Sequence, residues 1–72
     1  MYNKGELEEK FLGQKVDVDP DKDPEVHYHY TGRVISIKFV SDKEAYLVVE
    51  DQDEDILDVN IEACTLVNET IN

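Results

Sequence analysis

Apolar residues recur at every second position through most of this chain, and that spacing restricts it to β structure. Val16 and Val18 alternate with charged residues, as expected of a short strand with one buried face. A second, longer strand is predicted over residues 26–40, and further strands over residues 45–50, 56–59 and 65–67. The pattern therefore predicts a mainly β domain.

The longest predicted strand changes phase near its middle. Its early apolar residues fall on even positions and its later ones on odd positions. They are Val26, Tyr28, Tyr30, Ile35, Ile37 and Phe39. Gly32 lies between the two sets, and a glycine at such a switch is typical of a bulge or sharp bend. One bent strand of this kind can serve both sheets of a small barrel.

Helical spacing occurs at the N-terminus. Asn3 suits an N-cap, Leu7 and Phe11 lie four residues apart on one face, and Gly13 suits a C-terminal cap. We predict a helix over residues 4–12, which is too short to be stable alone and must therefore cover an open part of the sheet. A 3₁₀ turn is predicted within residues 60–64, and a frayed tail over residues 68–72.

Length and composition indicate one folded domain spanning residues 1–72. A chain of 72 residues buries only about 60% of its unfolded surface, but 40% apolar content supplies a core. Cys64 is the single cysteine, so no intrachain disulfide can form. Residues 1–10 lack the apolar run of a signal peptide, and no segment approaches the ~20 apolar residues of a membrane span. These features predict a soluble, cytoplasmic protein.

The order of elements resembles the SH3-like barrel, and the N-terminal helix narrows the resemblance to the Sm-like variant. The segments that carry it are the helix with Leu7 and Phe11 and residues 16–18, 31–34, 46–49 and 61–67. The resemblance implies a five-stranded SH3-like (Sm-like) barrel with a short N-terminal helix and a 3₁₀ turn before the last strand. RNA binding does not carry over, because the connection at residues 19–25 and the hairpin at residues 50–55 are acidic where an RNA phosphate would approach.

Charge excludes several classes of partner. The chain has 18 Asp and Glu against 7 Lys and Arg, a net charge of -11, which repels nucleic acid and anionic membrane and attracts basic protein surfaces. The excess is concentrated in residues 17–25 and 42–62. We predict that the partner-binding residues are Asp51, Asp53, Glu54 and Asp55 on the last hairpin, with Asp19, Asp21, Asp23 and Glu25 on the first loop. Whether the two segments form one surface is open at this point.

Three interpretations of these acids remain open. They could serve solubility alone, dock on a basic protein surface, or mimic DNA phosphates and so inhibit a nucleic-acid-binding protein. In size and acidity the chain resembles the small inhibitors that bacteriophages and mobile elements make against host enzymes. The alternative function, implied by the Sm-like resemblance, is a structural subunit that assembles into an oligomer through strand edges.

No motif predicts catalysis, a cofactor or a metal. The acidic segments lack the glycine and glutamate positions of a calcium loop, and His27 and His29 are expected on the solvent face without a third ligand. Tyr28, Tyr30 and Tyr46 could stack bases, but the absence of a basic groove favours core or protein-contact roles. Cys64 is expected to be a small buried residue.

Overall fold

The computed structural model describes residues 1–67, and the predicted tail over residues 68–72 lies outside them. The elements are a helix α1 (Lys4–Phe11), strands β1 (Lys15–Val18), β2 (Tyr30–Ser41), β3 (Glu44–Glu50), β4 (Ile56–Asn60) and β5 (Cys64–Leu66), and two 3₁₀ turns, Pro20–Lys22 and Ile61–Ala63. The predicted mainly β architecture is confirmed, as are the N-terminal helix and the 3₁₀ turn before the last strand.

All strand pairs in the described residues are antiparallel, and they form one sheet in the order β4-β3-β2-β1-β5. β4 and β5 are the two edges and do not pair with each other within residues 1–67, so the sheet is not closed by hydrogen bonds. The core lies on one face of this sheet, where β3 alternates buried Ala45, Leu47 and Val49 with partly exposed residues.

Helix α1 covers the core face as expected. Asn3 Oδ1 accepts hydrogen bonds from the backbone N–H groups of Gly5 and Glu6, at 3.0 and 3.3 Å, and so caps the helix. Leu7 and Phe11 are buried in the same cluster as the strand valines. Gly13 has a left-handed φ of 78° just past the helix, and its N–H donates to Val34 O at 2.8 Å. This bond attaches the C-terminal end of the helix to β2 before the chain enters β1.

The predicted start of β2 at Val26 is wrong, because the strand begins at Tyr30. β1 ends at Val18, which pairs with Tyr30, so residues 26–29 have no neighbouring strand to pair with. Instead, the Val26 N–H donates to Asp23 O at 3.0 Å and closes a turn. Val26 is buried but Tyr28 is 59% exposed, so the early apolar set does not share one face.

The predicted phase change is present, but it lies beyond Gly32. The register between β2 and β3 shifts between Val34 and Ser36, which places a bulge at Ile35. Val34 faces Val49 before the shift and Ile37 faces Leu47 after it, so the core face passes from even to odd positions. Gly32 has a different role: an added Cβ would lie 2.5 Å from Val49 Cγ1 and 2.7 Å from Glu50 O, so its missing side chain lets β3 approach β2.

Candidate partner-binding surface

The hairpin turn between β3 and β4 is organised by Asp51. Its Oδ1 accepts hydrogen bonds from the N–H groups of Asp53 and Asp55, at 2.8 and 3.0 Å. The Asp51 N–H donates to Asp55 O at 3.0 Å, and Glu54 takes a left-handed φ of 66° between them. Asp51 is half-buried and holds the turn, whereas the side chains of Asp53, Glu54 and Asp55 are exposed at the tip.

The first acidic loop divides into exposed and internal residues. Asp19 Oδ1 accepts from the Asp21 N–H at 2.9 Å and caps the first 3₁₀ turn, while Asp21 and Glu25 are exposed. Asp23 is only 5% exposed, and its carboxylate accepts from Glu25 N–H at 3.0 Å and from Asn60 N–H at 2.8 Å. Asp23, predicted to bind a partner together with the other acids of this loop, is therefore buried instead, because its carboxylate joins the loop to the end of β4.

Exposed acids of both segments line one groove. A groove of about 230 Å³ runs between residues 25–30 and the start of β4. Its lining residues are Glu25, Val26, His27, Tyr28, Tyr30, Asp51, Asp55, Ile56 and Leu57. An adjoining depression of about 240 Å³ is lined by Tyr28, Tyr30, Thr31, Asp51, Gln52 and Asp53. We call the two together the tyrosine groove, and Glu25, Asp51, Asp53 and Asp55 its acidic rim.

The two acidic segments form one surface only in part. Glu25 of the first segment lines the same groove as Asp51 and Asp55 of the second. Asp19 and Asp21 line neither part of the tyrosine groove. They lie instead beside the second 3₁₀ turn, where the Asp19 N–H donates to Ala63 O at 2.9 Å. Asp23 also lines neither part, so three of the four acids predicted on the first loop are separate from the groove and only Glu25 joins the hairpin acids.

Tyr28 and Tyr30 line both parts of the groove. Their ring centroids lie 5.5 Å apart with an interplanar angle of 48°. Tyr30 is half-buried on the core face opposite Val18, whereas Tyr28 is largely exposed. Burial raises the pKa of Tyr30 to about 12, with smaller contributions from Cys64 and Asp51, so its ring stays uncharged at neutral pH.

Tyr46 does not join these two tyrosines. It faces Lys38 across β2 and β3, and its hydroxyl donates to the Glu44 carboxylate, which raises the pKa of Tyr46. Lys38 Nζ lies 3.4 Å from Asp58 Oδ2 on the same side of the sheet. Tyr28, Tyr30 and Tyr46 are therefore split between two surfaces and do not form a single stacking platform; Tyr28 also lies in the loop before β2 and not on a strand.

The histidines and the cysteine occupy separate surroundings. His29 Nε2 lies 2.7 Å from Asp17 Oδ1, with both side chains exposed, and His27 lines the tyrosine groove. Within residues 1–67 no three His, Cys, Asp or Glu side chains are grouped to hold a metal ion. Cys64 is half-buried and lies 3.7 Å from Asn60 O, and desolvation followed by the charge of Asp23 raises the pKa of its thiol to about 12.

Comparison of this chain with protein-family models, with curated proteins and with solved structures finds no match. Among residues 1–67, no helix has the length and apolar character needed to cross a membrane.

Proposed function

We propose that this protein is a non-catalytic binding module that docks on a basic surface of a partner protein through the tyrosine groove and its acidic rim. The observation that carries the proposal is the convergence of Glu25, Asp51 and Asp55 around a groove that contains Tyr28 and Tyr30. Of the described residues, no lysine or arginine lines either part of this groove.

Tyrosine and carboxylate together suit a protein partner better than a simple solubility role. Tyrosine is enriched at protein interfaces because it combines a large apolar ring with a polar tip. An exposed Tyr28 ring is not needed to keep an acidic loop in solution, whereas a basic partner could contact the ring and the rim at once. Complementary charge would mainly set the speed of association and the choice of partner.

Inhibition of a nucleic-acid-binding protein is one form of this function. Duplex DNA carries one charge per ~1.7 Å of helix axis, so a mimic needs carboxylates along a strip. The longest dimension of the described chain is 34 Å, which is enough for such a strip. The acidic rim alone is a single patch, so a DNA mimic would need Asp19 and Asp21 to contact the partner as well.

Partner capture with matched variants tests the proposal. A partner recovered from the native host is compared for binding to Asp53→Lys/Asp55→Lys and to Glu8→Lys/Glu9→Lys, which change the net charge equally on two exposed surfaces. We expect the groove variant to lose about tenfold or more in affinity and the helix variant to stay near wild type. If both variants lose affinity equally, the partner responds only to total charge and not to the groove, which would contradict the proposal.

DNA competition separates the two forms of the function. If the protein acts as a mimic, DNA and this protein exclude each other on the partner. A ternary complex with undiminished DNA affinity would eliminate mimicry while leaving an ordinary protein contact.

A structural subunit is the second candidate. It is supported by the two sheet edges, β4 and β5, which are unpaired in the part of the chain that the structure describes. At one end of the β4 edge, however, the Asn60 N–H is already occupied by Asp23. This candidate predicts a discrete oligomer of the isolated protein, and a monomer in light scattering would contradict it.

A further inference from the structure

We propose that the tyrosine groove receives an arginine side chain from a basic segment of the partner, with the guanidinium stacked on Tyr28 and hydrogen-bonded to rim carboxylates. This inference rests on the proposed function and adds the side chain that is recognised.

The size of the groove favours one long side chain. Its two parts measure about 230 and 240 Å³ and share Tyr28, Tyr30 and Asp51. Pockets for drug-sized molecules and cofactors usually exceed ~300 Å³ and enclose most of the ligand. Each part by itself is below that size and is open, so it can hold a single extended side chain while the rest of the partner's chain stays outside.

The aromatic rings favour a cation. Tyr28 is 59% exposed, and its ring is tilted by 48° against Tyr30, so one of its faces is not stacked on its neighbour. A cation within ~6 Å of an exposed tyrosine ring gains roughly 2- to 5-fold in affinity from the ring quadrupole. An apolar partner side chain would gain nothing from the carboxylates beside that ring.

The acidic rim favours arginine over lysine. Asp53 and Asp55 have exposed side chains that the turn does not use, because the turn is held by Asp51 Oδ1 and by backbone atoms. A guanidinium presents five N–H donors in a plane, so it can stack on a ring and reach carboxylates at its edge together. An ammonium group is a point charge without that plane.

The neighbouring surface limits the direction of the bound segment. Lys15 and Arg33 line the next depression along the sheet, beyond Thr31, together with Glu50 and Asp51. That depression has as many cations as carboxylates, whereas the part of the groove that contains Glu25 has carboxylates and no lysine or arginine. We therefore expect a basic segment to leave the groove toward Glu25 and His27, at the other end.

Titration of the full-length protein with defined peptides tests this assignment. The probes are an acetylated, amidated Gly-Arg-Gly-Arg-Gly-Arg-Gly peptide and its lysine counterpart, and the readout is the backbone NMR spectrum with a fitted dissociation constant. We expect the arginine peptide to bind at least about 3-fold more tightly and to shift the signals of Tyr28, Tyr30 and residues 51–55.

Two substitutions complete the test. Tyr28→Leu removes an exposed ring without changing charge and should weaken arginine binding about 2- to 5-fold, whereas Tyr46→Leu, on the other surface, should not. If Asp53→Lys/Asp55→Lys weakens both peptides equally while Tyr28→Leu changes neither, the arginine assignment is overturned and the proposed function stands. If that acidic pair has no effect on either peptide, both proposals are contradicted.

Discussion

At the scale of single residues, the acids of this chain have two different roles. Asp23 and Asp51 accept backbone hydrogen bonds and hold loops in place, whereas Asp53, Asp55 and Glu25 project from those loops. The net charge of the chain does not distinguish these two groups of acids. They differ in whether the folded chain places backbone N–H donors beside the carboxylate.

Asp23→Ala should destabilise the fold, because it leaves the N–H groups of Asn60 and Glu25 without their acceptor. Losing the partner of a buried donor costs about 1–3 kcal/mol of the free energy of unfolding. Asp21→Ala, in the same loop but exposed, should change it by less than about 0.5 kcal/mol. Urea denaturation measures both, and equal values would show that the Asp23 contacts contribute little.

Cys64 should make stability fall at alkaline pH. The pKa of its thiol is about 12 in the folded protein and ~8.5 in an unfolded chain, so between these values the unfolded state has lost a proton that the folded state keeps. The stability that the protonated Cys64 thiol contributes is therefore fully present below the unfolded pKa and is lost as the pH rises through the folded pKa. Cys64→Ala should flatten this decline, which urea denaturation from pH 8 to 11 measures. Identical slopes for the two proteins would contradict the burial of the thiol.

At the scale of elements, the alternating pattern predicts four of the five strands well. β3, β4 and β5 begin and end within one residue of their predicted positions, and β1 contains the predicted Val16 and Val18. Residues 26–29 were expected to extend β2, but β1 is too short to pair with them. A strand limit of this kind depends on another strand and is not contained in the local pattern.

The same dependence explains which part of the site could be predicted. The exposed position of Asp53, Glu54 and Asp55 on a turn follows from local composition, whereas the half-burial of Asp51 does not. The burial of Asp23 depends on Asn60, 37 residues away, and the tyrosine groove forms only when the loop before β2 lies beside the β3–β4 turn. Long-range contacts of this kind leave no periodic signal.

Replacing Gly32 and Gly5 by alanine should change the stability of the fold in opposite directions. Gly32→Ala places a Cβ 2.5 Å from Val49 Cγ1 and 2.7 Å from the Glu50 carbonyl, which must separate β2 from β3 at a cost of about 1–3 kcal/mol. Gly5→Ala, in helix α1, meets no atom closer than 3.4 Å and should stabilise by about 0.5–1 kcal/mol. Thermal unfolding measures both changes. A neutral Gly32→Ala would show that the two strands are not held so closely.

At the scale of the whole molecule, the net charge of -11 opposes the compact state. Raising the salt from 0.01 to 0.15 M shortens the Debye length from about 30 Å to about 8 Å and screens this repulsion. The free energy of unfolding should therefore increase with salt. The increase should be smaller for Glu8→Lys/Glu9→Lys, because that variant has a smaller net charge. Urea denaturation at the two salt concentrations measures the difference. A fold that weakens in salt would show that attractive ion pairs outweigh the repulsion.

The central claim is that a basic partner binds this protein at one place, the tyrosine groove. The most direct measurement is the dissociation constant of the arginine peptide for Asp53→Lys/Asp55→Lys and for Glu8→Lys/Glu9→Lys at equal salt concentration. The two variants have the same net charge, so only the position of the change differs. We predict a loss of about tenfold or more for the groove variant and little change for the helix variant. Equal affinities of the two variants would contradict the claim.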